Sequence, residues 1–133
     1  MKPSKAVLTN QELEIMKIIW KRGSSTVREV YEDLLTRRKI AYTTVMTMMG
    51  TLEQKGHLRK SERGRAYVYV PVEPETKVIS NMVQEFVKRV FNGSPKPLLI
   101  HLVDHLSRDH EQLDEIRALL KEKKLLKEKR REK

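Results

Sequence analysis

AYTTVMTMMGTLEQKG (residues 41–56) followed by HLRKSERGRAYVYVP (residues 57–71) is the stretch that decides the fold. From Thr43 to Lys55, Val45, Met48, Met49 and Leu52 recur at helical spacing as one inward stripe, and Gly56 ends the segment. The opposite face carries Thr43, Met46, Thr47 and Gly50, with Thr44 beside them. A solvated helix face normally carries Glu and Lys, whereas this one is small, uncharged and hydroxyl-rich. Gly50 in mid-helix costs about 1 kcal/mol relative to Ala, and it stands on the outer face, where no close helix packing calls for it. Two strands are expected next, Leu58 to Glu62 and Ala66 to Val70, around Arg63-Gly64-Arg65. Val68 and Val70 alternate with Tyr67 and Tyr69, the period of a half-buried strand, and Pro71 and Pro74 close the hairpin.

Upstream, two helices announce themselves by their caps. Thr9 and Glu12 form a T-x-x-E capping box with Leu8 and Leu13 as its staple; Leu13, Met16, Ile19 and Trp20 share a side, with Trp20 as the main anchor, and Gly23 stops the helix. Thr26 and Glu29 repeat the box, and Val27, Val30, Tyr31, Leu34 and Leu35 make a full apolar face. Arg37-Arg38-Lys39 falls in or just past the last turn, where cations suit the helix dipole. The order is three helices and then a hairpin with a basic tip.

After Glu75 the pattern changes. Val78, Ile79, Met82, Val83, Phe86, Val87, Val90 and Phe91 form a stripe two residues wide, ended by Asn92-Gly93. Ser94 with Pro95 starts another helix bearing Leu98, Leu99, Leu102, Val103 and Leu106. Ser107 can cap a third, using Leu113, Ile116, Leu119 and Leu120. These short helices carry more apolar surface than they can bury alone, and a second copy of the chain is the favoured cover. From Lys121 the sequence reads as a frayed helix or a tail. The expected organisation is a head unit over 1–75, a helical dimerisation region over 76–120 and a basic tail over 121–133, mainly α with one small β-hairpin.

The 133 residues carry a net charge of +10, unevenly spread. Residues 1–75 hold 14 basic and 9 acidic side chains, residues 76–120 hold 6 and 6, and residues 121–133 hold 8 and 3. A basic front, a neutral middle and a basic end suit a polyanion-binding head joined to a self-association element, though a merely solubilising surface has the same charge. No run of about eighteen apolar residues is present, so no membrane insertion is expected. The first residues, Met1 to Lys5, lack the apolar core of a secretory signal, and there is no cysteine, which together fit a cytoplasmic address. No Ser/His/Asp set, glycine-rich phosphate loop or carboxylate pair stands at a catalytic spacing, so no enzyme and no cofactor is expected. An RNA reader would need aromatic stacking platforms that the chain lacks.

The helix at 43–55 suits base readout, with ordinary exposed residues and a tolerated Gly50 as the bland alternative. Thr43, Thr44 and Thr47 offer hydroxyls to phosphates or bases, their methyls and Met46 can meet a thymine methyl, and Gly50 lets the backbone approach DNA. Arg63 and Arg65 around Gly64 would touch sugar–phosphate or the minor groove, with a solvated turn as the bland alternative. Thr26, Val27 and Arg28 open a helix whose amides can meet a phosphate, or are simply a cap. His101 and His105 stand at i, i+4, with Asp104, Asp109 and His110 near in sequence; this reads as the edge of an amphipathic helix more than as a metal site, and no metal is expected.

With residues 41–70 in view, the sequence resembles the BlaI/MecI family of winged-helix repressors. Ala41-Tyr42-Thr43-Thr44-Val45-Met46-Thr47 is similar to that family's recognition-helix opening, Leu52 and Lys55-Gly56 to the helix end, and Gly64-Arg65-Ala66-Tyr67-Val68-Tyr69 to the wing. The likeness extends through Gln11-Glu12-Leu13-Glu14, Ile19-Trp20 and Val90-Phe91-Asn92-Gly93, roughly residues 8–120. It implies a homodimer on a palindromic double-stranded DNA operator of antibiotic-resistance or stress genes, and it adds Tyr42 and Lys55 to the DNA-binding residues. It also implies release by proteolysis under a membrane-bound sensor protease, which in some members responds to β-lactams. The Asn-Phe pair often cut in the family reads His101-Leu102 here, and some relatives carry a basic residue at Met46, so trigger and base preference do not transfer. A branch that senses copper through C-terminal cysteines is excluded by their absence. The alternatives are a metal- or ligand-responsive DNA-binding regulator, or a nucleic-acid binder without sequence preference.

Overall fold

The computed structural model describes residues 7–106 and 108–131. The elements run α1 (Asn10–Arg22), α2 (Val27–Leu35), α3 (Tyr42–Gln54), β1 (Leu58–Arg63), β2 (Ala66–Pro71), α4 (Glu75–Val90), α5 (Pro95–Leu106) and α6 (His110–Arg131). They fall into two compact units, residues 1–82 and 83–133.

Both expected capping boxes are in place. The Thr9 hydroxyl accepts from the Glu12 amide at 3.1 Å while the Glu12 carboxylate accepts from the Thr9 amide at 2.8 Å. Thr26 and Glu29 repeat this at 3.1 and 2.9 Å. Each box satisfies two of the amides that a helix start leaves without partners. Gly23 ends α1 at φ +85°, a left-handed conformation, and its N–H donates to the Ile19 carbonyl at 2.8 Å.

The core of the first unit joins Ile15, Met16 and Ile19 of α1, Val30 and Leu34 of α2, and Val45, Met49 and Leu52 of α3, all at most 1% exposed. Burying side chains of this size stabilises by roughly 1.5–3 kcal/mol each. Trp20 is not the main anchor expected of it. It is half-buried at the rim, where its indole N–H donates to the Glu73 carbonyl at 3.0 Å and ties the segment after β2 to α1. A large ring with a polar edge settles where that edge finds an acceptor, and Ile15 and Ile18 fill the centre instead. Leu35, expected on the apolar face of α2, is 44% exposed at its end.

The hairpin is antiparallel, with Arg63 facing Ala66 across the two-residue turn Gly64-Arg65. Gly64 takes φ +67°, as the first central position of a type II′ turn demands. Each strand is one residue longer than expected, so Arg63 belongs to β1. Ser25 adds a single bridge to Tyr69, with N–H···O bonds of 3.0 and 2.8 Å, making a short third rung. Three helices with this hairpin are a winged helix.

The start of α4 belongs to the first unit: Val78 is 6% exposed in its core and Met82 packs against that core. Asn92 at φ +53° and Gly93 close the end of that helix, with the Gly93 N–H reaching the Val87 carbonyl at 3.1 Å. In the second unit, Phe86, Phe91 and His101 form a ring cluster with centroids 5.8 and 5.9 Å apart. Ser107, the expected cap of the last helix, lies outside the described residues; Asp109 does this work, its carboxylate accepting from the Gln112 amide at 3.2 Å. That helix continues to Arg131, so of the two readings left open from Lys121 onward the structure has the helix.

Candidate nucleic-acid interface

α3 divides into two sides, with Met48 packed half-buried against the core and Gly50 half-buried between them. Val45, Met49 and Leu52 are fully buried, whereas Thr43, Thr44, Met46 and Thr47 are exposed. A Cβ built on Gly50 would meet no atom within 4 Å, so the helix surface there is bare. Thr51 differs from the other threonines, since its hydroxyl donates back to the Thr47 carbonyl at 3.0 Å. The result is a shallow, uncharged ridge of hydroxyls, methyls and backbone, fixed in place by the core beneath it.

Tyr42 opens α3 and ties it to the helix before. Its ring meets Tyr31 edge-on at 5.4 Å, and the Arg28 guanidinium lies 6.0 Å from its centroid. Arg28 also pairs with Glu32 at 3.7 Å. Thr26, by contrast, is occupied as the cap of α2, which leaves the Val27 and Arg28 amides as the helix's unpaired donors.

Lys55 is engaged within the chain. Its ammonium lies 2.8 and 2.9 Å from the two carboxylate oxygens of Glu12, whose side chain is 6% exposed. A DNA contact would require Lys55 to leave this buried carboxylate with the Thr9 amide alone, and the pair as it stands holds the end of α3 to α1. Burial pushes the Glu12 carboxyl up, but hydrogen bonds from Lys55 and the Thr9 amide outweigh this and hold it below its ordinary value. Arg38 and Arg37, just past α2, pair with Glu14 at 2.8 and 3.6 Å and brace the loop between α2 and α3 against α1.

On the wing, Arg63, Gly64 and Arg65 are exposed as expected. Arg59 and Lys60 join them, and neither was singled out in the sequence. Lys60 faces Tyr69 in the register and its ammonium lies 4.4 Å from the Tyr67 ring and 5.8 Å from the Tyr69 ring. The alternation of β1 against the tyrosines was the signal for it.

The expected dimerisation residues divide. Val78 is buried within its own chain, which removes it from any subunit surface, and Met82 is half-buried. Val83, Phe86, Val90, Leu99, Leu102, Val103 and Leu120 are 40–58% exposed, while Val87, Phe91, Leu98, Leu106, Leu113 and Ile116 are half-buried. His101 and Leu102, the expected cleavage point, are both exposed on α5. Among the described residues no three His, Asp or Glu side chains gather as a metal would need. No helix among them is long and apolar enough to cross a membrane.

The family model of the penicillinase repressor matches residues 8–122. The chain belongs to the penicillinase repressor family. A penicillinase repressor of Bacillus licheniformis is 30% identical over 117 residues, 88% of this chain and 91% of that protein. The transcriptional regulator BlaI of Mycobacterium tuberculosis is 33% identical over 117 residues, covering 86% and 83%. The solution structure of the DNA-binding domain of the repressor BlaI matches at TM-score 0.50 and 36% identity, covering 57% of this chain and 92% of that domain. This chain is therefore a DNA-binding transcriptional repressor of that family, not an enzyme.

Proposed function

We propose that this repressor acts as a homodimer on a palindromic operator, reading bases with the outer face of α3 and holding sugar–phosphate with the wing. The observation that carries it is the division of α3: a buried apolar side of Val45, Met49 and Leu52, and an uncharged outer side where Thr43, Thr44, Met46 and Thr47 are exposed and Gly50 is half-buried. Its hydroxyls and methyls match base edges and thymine methyls in a major groove. Arg28 and Tyr42 flank that face, and Arg63 and Arg65 supply phosphate contacts on the wing.

Two heads are needed because one makes few phosphate contacts at cellular salt; linking two raises effective concentration. Phe86, Val90, Leu99, Leu102 and Val103, apolar and 40–50% exposed, support a subunit surface in the helices after Met82. The proposed organisation keeps the head within about the first 75 residues plus the start of α4, then the assembly helices, then the basic end. Release of repression follows loss of the dimer, by a cut near His101-Leu102 made under a membrane-bound sensor protease. That bond lies within α5, so α5 must open locally before it is cut. The regulated genes are those of antibiotic resistance or stress, in the cytoplasm.

The test is selection of bound duplexes from a random library by the full chain, followed by sedimentation of the complex. A palindrome with half-sites about one helical turn or a multiple apart, bound by two chains, is the expected result. An asymmetric site bound by one chain would overturn it.

A further inference from the structure

α6 runs through Arg131, whereas the match to the family ends at residue 122. Its last eleven residues, Lys121 to Arg131, hold seven Lys or Arg and two Glu, a net charge of +5. Residues 121–130 are all exposed, and among the described residues none of them enters an ion pair. Lys123 and Lys127 stand four apart, where like charges destabilise an isolated helix, and Lys124 with Glu128 is the one opposite pair at that spacing among residues 121–130. Such a helix is stabilised by a polyanion laid along it.

We propose that Lys121–Arg131 is a second, sequence-independent contact to the phosphate backbone of duplex DNA, additional to α3 and the wing. Eleven helical residues span about 16 Å. A duplex presents one negative charge per roughly 1.7 Å, so about ten phosphate charges lie along that length, a fair match to seven cations. A lipid surface fits less well, because an interfacial helix needs a continuous apolar face. Leu119 and Leu126 fall on one side of the helix, but Leu125 points about 120° away, and Lys123 and Arg130 interrupt the stripe. The inference rests on the head being a duplex-DNA binder, though not on its preferring any sequence.

The experiment compares the full chain with a variant carrying Lys121→Gln, Lys123→Gln, Lys124→Gln, Lys127→Gln and Lys129→Gln. Glutamine keeps helix propensity, and the leucines are untouched. Affinity for a long random-sequence duplex is measured against salt, with affinity for the selected operator and binding to phosphatidylserine vesicles alongside. The expected result is a salt slope less steep by about 2–4 per chain and at least tenfold weaker binding at low salt. The preference for operator over random duplex should stay unchanged. An unchanged slope, with or without vesicle binding by the parent chain, overturns the proposal. So does a loss confined to the operator, which would make the segment part of base reading. A parent chain with no operator preference would refute the proposed function while leaving the slope comparison fully readable.

Discussion

Replacing Lys55 with Ala separates a structural from a DNA-binding role at one position. In the folded chain its ammonium neutralises Glu12 at 2.8 Å, and the Glu12 side chain is 6% exposed. Removing one partner of a fully buried pair costs about 3–5 kcal/mol. Here the Lys55 side chain is 25% exposed, so water can partly replace it, and Glu12 keeps the Thr9 amide at 2.8 Å. A cost of about 2 kcal/mol follows, below the range for a fully buried pair. For a head of this size that is a fall in Tm of about 8–16 °C. Chemical and thermal unfolding at fixed chain concentration give the stability, and anisotropy with labelled duplex well below Tm gives the affinity of the folded fraction. Affinity should change less than threefold. Adding Glu12→Gln with Lys55→Met should recover much of the loss, because Gln still completes the capping box and no charge is left buried. If Lys55→Ala leaves Tm within a degree or two and instead abolishes binding, the reasoning is wrong and Lys55 belongs to the DNA surface.

Acid should act on the same pair. Glu12 is held below its ordinary value of 4.5 in the fold, so its contribution is complete above that pH and disappears as pH falls through the lower folded value; the stability gap between parent and Lys55→Ala, followed by urea titration, should narrow there. Thr44→Ala with Thr47→Ala should leave Tm unchanged and weaken operator binding by about 1–3 kcal/mol per lost base contact; equal loss on random duplex in a gel shift would reduce these residues to backbone contacts. Val78→Ala should destabilise the head by about 1.5–3 kcal/mol without changing the monomer–dimer equilibrium, whereas Phe86→Ala should shift that equilibrium in sedimentation and spare the head. The opposite pattern would put the subunit surface at the start of α4.

What was legible in the sequence is what local chemistry determines. Thr9-x-x-Glu12 and Thr26-x-x-Glu29 announce helix starts because donor and acceptor lie three residues apart, and Val45, Met49 and Leu52 announce a buried face because the helix period puts them together. The turn at Gly64 and the exposed threonines of α3 were readable for the same reason. Partners distant in the chain were not. Lys55 and Glu12 are 43 residues apart, Trp20 and Glu73 are 53 apart, and the Ser25–Tyr69 bridge is a single rung with no strand pattern to reveal it. The stripe from Val78 to Phe91 is periodic throughout, and periodicity alone does not say that its first residues cover the chain's own core. The length of α6 was hidden because Lys, Glu and Arg favour a helix and a solvated tail almost equally.

The central claim, that the outer face of α3 reads DNA, is tested most directly by titrating the isotopically labelled full chain with its selected duplex and following backbone amide shifts. The account predicts the largest changes at Tyr42, Thr43, Thr44, Met46, Thr47 and Gly50, with a second set at Arg63, Gly64 and Arg65. Large shifts confined to α1 and α2, with the α3 amides unmoved, would contradict it.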